Sequence, residues 1–113
     1  MNNTEVVNTT SKYIVKTTGI GSETNQELVD AEKLAEGTDG SKVSLIECYY
    51  LIEGTGILTI SAGDEALPLD GKGKYGLRPG QLKFGNDKIF NLTTDSNVKS
   101  YLLVTEFRRE SNG

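Results

Sequence analysis

Two apolar runs separated by a glycine turn constrain the fold of this chain more than any other feature of its sequence. The first run covers residues 43–52 (VSLIECYYLI), the second covers residues 57–62 (ILTISA), and Glu53-Gly54-Thr55-Gly56 lies between them. Both runs have the length of a strand and are rich in β-branched and aromatic residues. A short glycine turn between two such runs is typical of a β-hairpin, which we predict here.

The first of these strands is apolar on both faces. Strict alternation places Tyr49 and Leu51 on one face with Glu47, and Cys48 and Ile52 on the other. Such a strand is expected at the centre of a sheet, covered on both sides by a sandwich or by an assembled interface. Glu47 is the one charge in the run, and it needs a partner or a route to water.

The rest of the chain repeats short strand signals at intervals of about ten residues. They lie at residues 12–18, 66–70, 82–84, 88–94 and 98–109. Pro68 restricts its segment to a sheet edge or a strand start. Residues 26–35 fit one or two helical turns or a strand followed by a loop, and we favour the strand and loop. We predict an all-β fold, a single-domain β-sandwich or flattened barrel of about seven to nine short, mainly antiparallel strands.

The two ends of the chain are expected to lie outside this domain. Residues 1–11 are polar and predict a flexible N-terminal arm that orders against a neighbouring subunit. The β-sandwich domain is predicted over residues 12–110, with a disordered tail at residues 111–113. The length of 113 residues fits one domain, and a hydrophobic content of 35% predicts a thin core.

Charge and hydropathy limit the classes of partner. The chain has 12 basic and 16 acidic residues, a balance that argues against binding of nucleic acid. The acidic excess lies in residues 1–40, which contain seven acidic residues and three lysines. No apolar stretch approaches the roughly 20 residues of a membrane span, and no signal-peptide pattern is present. We expect a soluble protein that does not contact membranes and matures in a reducing cytoplasm, where the single Cys48 forms no intramolecular disulfide.

Catalytic and cofactor signals are weak. Residues 71–76 match the dinucleotide-binding glycine pattern, but Arg78-Pro79-Gly80 follows where a helix should begin. Cys48 has no histidine to act as its base and is expected to be a small buried residue. Glu47 and Glu106 could serve glycoside hydrolysis only if the fold placed them together across a cleft. We predict no catalytic residue and no cofactor.

No metal site is predicted either. Asp64, Glu65 and Asp70 lie close together in sequence, but their spacing does not match a calcium loop. They are expected to be solvated turn residues.

The segment at residues 71–80 is the best candidate for a protein contact. We expect a glycine-bent loop between strands, in which Lys72, Lys74 and Arg78 carry positive charge around Tyr75. This basic patch could meet the acidic N-terminal third of a neighbouring copy.

Five segments together resemble a known class of protein. They are residues 12–16 (KYIVK), 28–30 (LVD), 43–56, 69–77 (LDGKGKYGL) and 101–108 (YLLVTEFR). In this order, over residues 12–109, the chain resembles the small β-rich virion structural proteins of tailed bacteriophages.

The resemblance implies a non-enzymatic role in the virion, after assembly in the host cytoplasm. The expected function is that of a capsid decoration or cement protein, a homo-oligomer that stabilises the phage head through contacts with major capsid subunits and with its own copies. Other virion proteins are the alternative partners, if the chain is a neck or tail component. A host-surface module that binds carbohydrate is the alternative from a different functional class.

Overall fold

The computed structural model describes residues 1–9, 11–34, 41–76 and 84–110, and within these residues the protein is built from ten strands. They are β1 (Asn2–Asn8), β2 (Lys12–Ile20), β3 (Glu23–Asp30), β4 (Lys42–Gly54), β5 (Leu58–Ala62), β6 (Glu65–Leu69), β7 (Lys72–Gly76), β8 (Phe84–Asp87), β9 (Ile89–Thr94) and β10 (Val98–Glu110), with a 3₁₀ turn at Ala31–Lys33.

The strands form two antiparallel sheets that pack as a sandwich. The large sheet has the order β1-β2-β10-β4-β7, with β8 also paired to β4, and the small sheet has the order β3-β9-β5-β6. The prediction of an all-β sandwich of short, mainly antiparallel strands is confirmed.

The core lies between the two sheets, and aromatic residues connect them. Phe107 of β10 and Phe90 of β9 are fully buried, and their ring centroids are 5.0 Å apart in an edge-to-face arrangement. Leu103 from the large sheet and Ile60 and Leu92 from the small sheet are fully buried in the same cluster. One continuous core therefore holds both sheets together.

The predicted hairpin is wrong, because its two strands lie in different sheets. β4 pairs with β10 and β7 in the large sheet, whereas β5 pairs with β9 and β6 in the small sheet. The chain between them crosses from one sheet to the other. β4 is apolar on both faces and finds a partner of the same character in β10, with which it pairs over almost its whole length.

A second crossing of the same kind, from β9 to β10, packs against the first. Asp95 accepts a hydrogen bond from the Ile57 amide through Oδ2 at 2.9 Å, and its own amide donates to the Ile57 carbonyl at 3.2 Å. Gly54 has a φ of +101°, and a Cβ on Gly56 would lie 2.7 Å from the carbonyl carbon of Asn97. The glycines of this turn are therefore required by a close approach between the two crossings.

Strict alternation along β4 is broken by a β-bulge. Leu45 pairs with Phe107 and Glu47 pairs with Glu106, so that Ile46 is an extra residue between them. Leu45 and Cys48 consequently point into the core together, and both are fully buried. The bulge leaves the part of β4 beyond it with its odd-numbered residues on the outer face.

Two predicted irregular segments are corrected to strands. Asn2–Asn8 was expected within a flexible arm, but it forms the edge strand β1, where the Asn3 side chain accepts a hydrogen bond from the Thr17 hydroxyl at 2.7 Å. Lys72–Gly76 was expected within a loop, but it pairs with β4 as strand β7. In both cases a neighbouring strand supplies a hydrogen-bonding edge that local sequence does not reveal.

Other local predictions agree with the structure. Residues 26–30 belong to strand β3, and the 3₁₀ turn at Ala31–Lys33 follows in place of the predicted loop. Pro68 lies in β6, at the edge of the small sheet. The predicted tail at residues 111–113 lies outside the described residues.

Candidate interaction surface

Four apolar side chains form a compact group on the outer face of the large sheet. Leu51 faces Leu102 and Tyr49 faces Val104 across the β4–β10 pair, and we call these four residues the apolar tetrad. Tyr49 is 50% exposed and Leu51 is 43% exposed, while Leu102 and Val104 are half-buried. On the other side of β10 from β4, at the end of β2, Ile20 is 79% exposed. Apolar side chains therefore remain open to solvent on both β4 and β2.

Charged residues surround the tetrad in an ordered way. Acids lie beyond both of its ends along the strands, and lysines lie on both of its sides across the strands. At one end is Glu53, at the other end are Glu47 and Glu106, on one side is Lys16 of β2, and on the other side are Lys72 and Lys74 of β7. An apolar centre with a charged rim is the usual composition of a protein–protein contact.

Glu47 has the partner that its position in an apolar strand requires. Its carboxylate pairs with the Lys74 ammonium at 2.5 Å, and the Lys74 nitrogen lies 5.1 Å from the centroid of the Tyr49 ring. The hydrogen bond to Glu47 is the main cause of the raised pKa of Lys74. The neighbouring Glu106 lies 3.8 Å from the Lys12 ammonium.

The predicted contact residues separate into two groups. Lys72 and Lys74 are exposed on the outer face of the large sheet, beside the tetrad. Tyr75 is on the opposite face of β7, facing Cys48, and packs against the core. Arg78 lies outside the described residues. The lysines therefore belong to one surface with the tetrad, and Tyr75 does not.

Several acids of the N-terminal third already have partners within the chain. Glu23 pairs with the amino group of Met1 at 2.9 Å, Glu27 lies 3.7 Å from the Lys33 ammonium, and Glu32 lies 3.2 Å from the Lys88 ammonium. These three acids lie on β3 and the 3₁₀ turn that follows it, and each is paired with a positive group of the same chain.

The candidate catalytic groups are poorly placed for chemistry. Burial raises the pKa of the Cys48 thiol to about 12, which leaves little nucleophilic thiolate at neutral pH. Glu47 and Glu106 do face each other, but they lie on the outer surface of a sheet and each is paired with a lysine. Within the described residues, no three His, Cys, Asp or Glu side chains are grouped so that they could hold a metal ion.

A surface depression of about 530 Å³ adjoins the tetrad at the end of β2. Ile20, Leu51 and Leu102 line its apolar part, and Glu23 and Glu53 contribute carboxylates. Tyr101, which is almost fully buried, donates a short hydrogen bond from its hydroxyl to the Glu23 carboxylate. Burial, followed by this hydrogen bond, raises the pKa of Tyr101 far above the usual value for tyrosine.

Tyr101→Phe is expected to lower the free energy of unfolding by about 1.5–3 kcal/mol, because the largely buried Glu23 carboxylate loses a donor. Urea unfolding of both proteins at pH 7 measures the difference. Tyr50→Phe is the matched control, since Tyr50 is half-buried and its hydroxyl has no hydrogen-bond partner in the described parts of the chain. A loss in the control as large as that in Tyr101→Phe would contradict this role of the hydrogen bond.

Comparison with protein-family models, with curated proteins and with solved structures finds no match for this chain. The described residues also contain no helix with the length and hydropathy needed to cross a membrane. The surface around the tetrad is therefore the feature of the described residues that bears most on function.

Proposed function

We propose that this protein is a non-enzymatic structural component of a bacteriophage particle, and specifically a capsid decoration or cement protein. In this role it is assembled in the host cytoplasm and stabilises the phage head. It does so by contacting major capsid subunits and its own copies. The observation that carries the proposal is the exposed apolar tetrad within its rim of charge on the large sheet.

This surface supports an assembly role because it resembles one side of a protein contact. Exposed apolar side chains that are grouped and bordered by charge mark interaction sites more often than scattered ones do. Tyr49 is the type of residue that anchors such contacts, since it offers a large rigid area with few rotatable bonds. The flat outer face of a sheet suits another flat protein surface better than a small substrate.

The buried thiol and the lysine-paired carboxylates favour contact over catalysis. Cys48 is fully buried, and Glu47 and Glu106 do not line the depression beside the tetrad. The charge of both carboxylates is balanced by Lys74 and Lys12. A structural protein requires only that the thiol and the two carboxylates stay in place.

Bacteriophage particles produced from the genome that encodes this chain are expected to contain it in many copies. These copies should be visible as density on the head in an electron-microscopy map. The double variant Lys72→Glu/Lys74→Glu is expected to reduce its occupancy on particles at least about threefold, because two favourable charges on the contact surface become repulsive. Quantitative mass spectrometry of purified particles measures the occupancy.

The control is Lys42→Glu/Lys99→Glu, which makes the same change in charge at two exposed lysines that do not border the tetrad. Its occupancy should match that of the wild type. Because Lys74→Glu also removes the partner of Glu47, both variants should be shown to unfold cooperatively above the temperature of the occupancy assay. Particles that lack the chain, or a wild-type monomer that binds a defined glycan, would overturn the proposal.

A further inference from the structure

We propose that the outer face of the large sheet binds a second copy of this chain, with the strands of the two copies crossing at about 90°. The two copies are related by a two-fold axis that lies in the interface, halfway between the strand direction and the direction across the strands, and that passes close to Leu102, Tyr49 and Ile20. This inference rests on the proposed function and names one of the partners that it requires. The arrangement of charge around the tetrad is its main support.

The tetrad carries acids along one direction and lysines along the other. Residues two apart on a strand are separated by about 6.8 Å, and neighbouring strands by about 4.8 Å. Glu53 and the Glu47–Glu106 pair therefore lie about 10 Å from the tetrad centre along the strands, at opposite ends. Lys16 and the Lys72–Lys74 row lie about 7 Å from the centre across the strands, on opposite sides.

This pattern selects the crossing angle. If two copies stack face to face with their strands aligned, each acidic end lies over an acidic end and each lysine side lies over a lysine side. A rotation of about 90° instead places every acidic end over a lysine side, and the difference of about 3 Å between their distances from the centre is within the reach of a lysine side chain. Two sheets that cross at right angles therefore bring opposite charges together around one apolar centre.

Two crossed arrangements have two-fold symmetry, and they differ in the diagonal that the axis follows. An axis along the diagonal through Leu51 and Val104 leaves Ile20 outside the tetrad contact. An axis along the other diagonal gives each acid a lysine of the second copy, and the symmetry repeats each pair. The pairs are Glu53 with Lys16, Glu106 with Lys72, and Glu47 with Lys74. Glu47 and Glu106 also have lysine partners within their own chain, so the Glu53–Lys16 pair contributes most to the choice of partner.

The dimer built about this axis also buries the exposed apolar side chains. Ile20 lies close to the axis and meets Ile20 of the second copy, above the depression that it lines with Leu51 and Leu102. Tyr49 and Leu102 also lie close to the axis, and Leu51 meets Val104 of the second copy. Ile20 is the most exposed large hydrophobic residue in the described part of the chain, so its burial is the largest single apolar gain.

Charge reversal tests this geometry directly. Sedimentation equilibrium of the purified wild-type chain at low salt is expected to show a dimer. Glu53→Lys alone, and Lys16→Glu alone, should each raise the dimer dissociation constant about tenfold or more, because each change makes two attractive pairs repulsive. The double variant Glu53→Lys/Lys16→Glu should return the dissociation constant to within about threefold of the wild-type value, because the paired positions again carry opposite charges.

Two further variants separate this dimer from other arrangements. Glu53→Lys/Lys72→Glu should not restore the dimer, since Glu53 does not face Lys72 about the proposed axis. Restoration by that pair would overturn the axis. Glu53→Gln should weaken the dimer, whereas strands stacked in alignment would place Glu53 near another acid and make this variant strengthen it.

Apolar and fold controls complete the test. Ile20→Glu should abolish dimerisation with an unchanged melting temperature of the monomer, because Ile20 is 79% exposed and contributes little to the core. Glu65→Lys, at an exposed site on β6 in the small sheet, should leave the dissociation constant unchanged. A dimer that survives Ile20→Glu overturns the inference.

The outcome for the dimer is distinguishable from the outcome for the proposed function. If the wild-type chain stays monomeric up to millimolar concentration but still occupies particles, the proposed dimer is wrong and the proposed virion role stands. If the chain forms the crossed dimer but is absent from particles, the proposed dimer stands and the proposed virion role is wrong. Particle occupancy and sedimentation therefore answer separate questions on the same set of variants.

Discussion

Phe107→Ala is expected to lower the free energy of unfolding by about 3–5 kcal/mol, the range for removing a fully buried aromatic side chain. Phe107 has no solvent exposure, and its ring makes an edge-to-face contact with Phe90 at a centroid distance of 5.0 Å. Because Phe107 belongs to the large sheet and Phe90 to the small sheet, the substitution removes contacts between the two layers. The cavity would lie where the sheets are joined.

Chemical unfolding in urea, followed by circular dichroism, measures this loss. Phe107→Leu keeps most of the volume and is expected to cost about 1–2 kcal/mol. Tyr49→Ala removes an aromatic ring from the outer face of the same sheet and should change the stability of the monomer by less than about 1 kcal/mol. If Phe107→Ala and Tyr49→Ala were equally destabilising, the two faces of the large sheet would not differ in burial.

These measurements should be made at several protein concentrations. A dimer through the tetrad would make the stability of the wild type depend on concentration, and Tyr49→Ala would reduce that dependence. The loss in Phe107→Ala should persist at the lowest concentration, where only the monomer is present.

The sequence predicts the class of the fold because that class depends on local patterns. The apolar character of β4 on both faces predicts a central strand, and β4 indeed lies between β10 and β7 in the large sheet. Val29 and Asp30 suit a strand better than a helix, and residues 26–30 indeed belong to β3. Fold class needs only the period of the pattern and the length of each run.

Pairing between distant strands could not be predicted in the same way. A glycine turn between two apolar runs has the same sequence whether the chain returns within one sheet or crosses to another. β4 and β10 are separated by more than forty residues, and their register is set by the bulge at Ile46 and by burial of Leu45 and Phe107. These are properties of the packed molecule.

The candidate surface was predictable in part. The exposed lysines of β7 and the two-sided apolar character of β4 were both visible in the sequence. Their relation was not, because the partner of Tyr49 and Leu51 is β10, where Leu102 and Val104 alternate with the buried Tyr101 and Leu103. Alternation within residues 101–104 was the signal that would have found the other half of the tetrad.

Stability is expected to fall steeply between pH 9 and pH 12, and Cys48 is a main cause. Burial raises the pKa of its thiol from 9.0 to about 12 in the folded protein. Below pH 9 the thiol is protonated in both states, so it makes no difference to stability. Between pH 9 and pH 12 the unfolded chain loses this proton while the folded chain keeps it, so rising pH favours unfolding.

Between pH 8 and pH 11, ionisation of this thiol in the unfolded chain is expected to lower the free energy of unfolding by about 3 kcal/mol. Cys48→Ala tests this contribution: it should be less stable than the wild type at pH 8 by about 1–2 kcal/mol, because it leaves a small cavity. Its stability should fall less between pH 8 and pH 11, so the two curves should converge or cross. Urea unfolding under reducing conditions measures the stability of both proteins at pH 8 and pH 11. The tyrosines are the same in the two proteins, so their ionisation cancels in the comparison. Parallel curves would mean that the folded chain does not keep the Cys48 proton in this range, which would contradict the burial of the Cys48 side chain between the sheets.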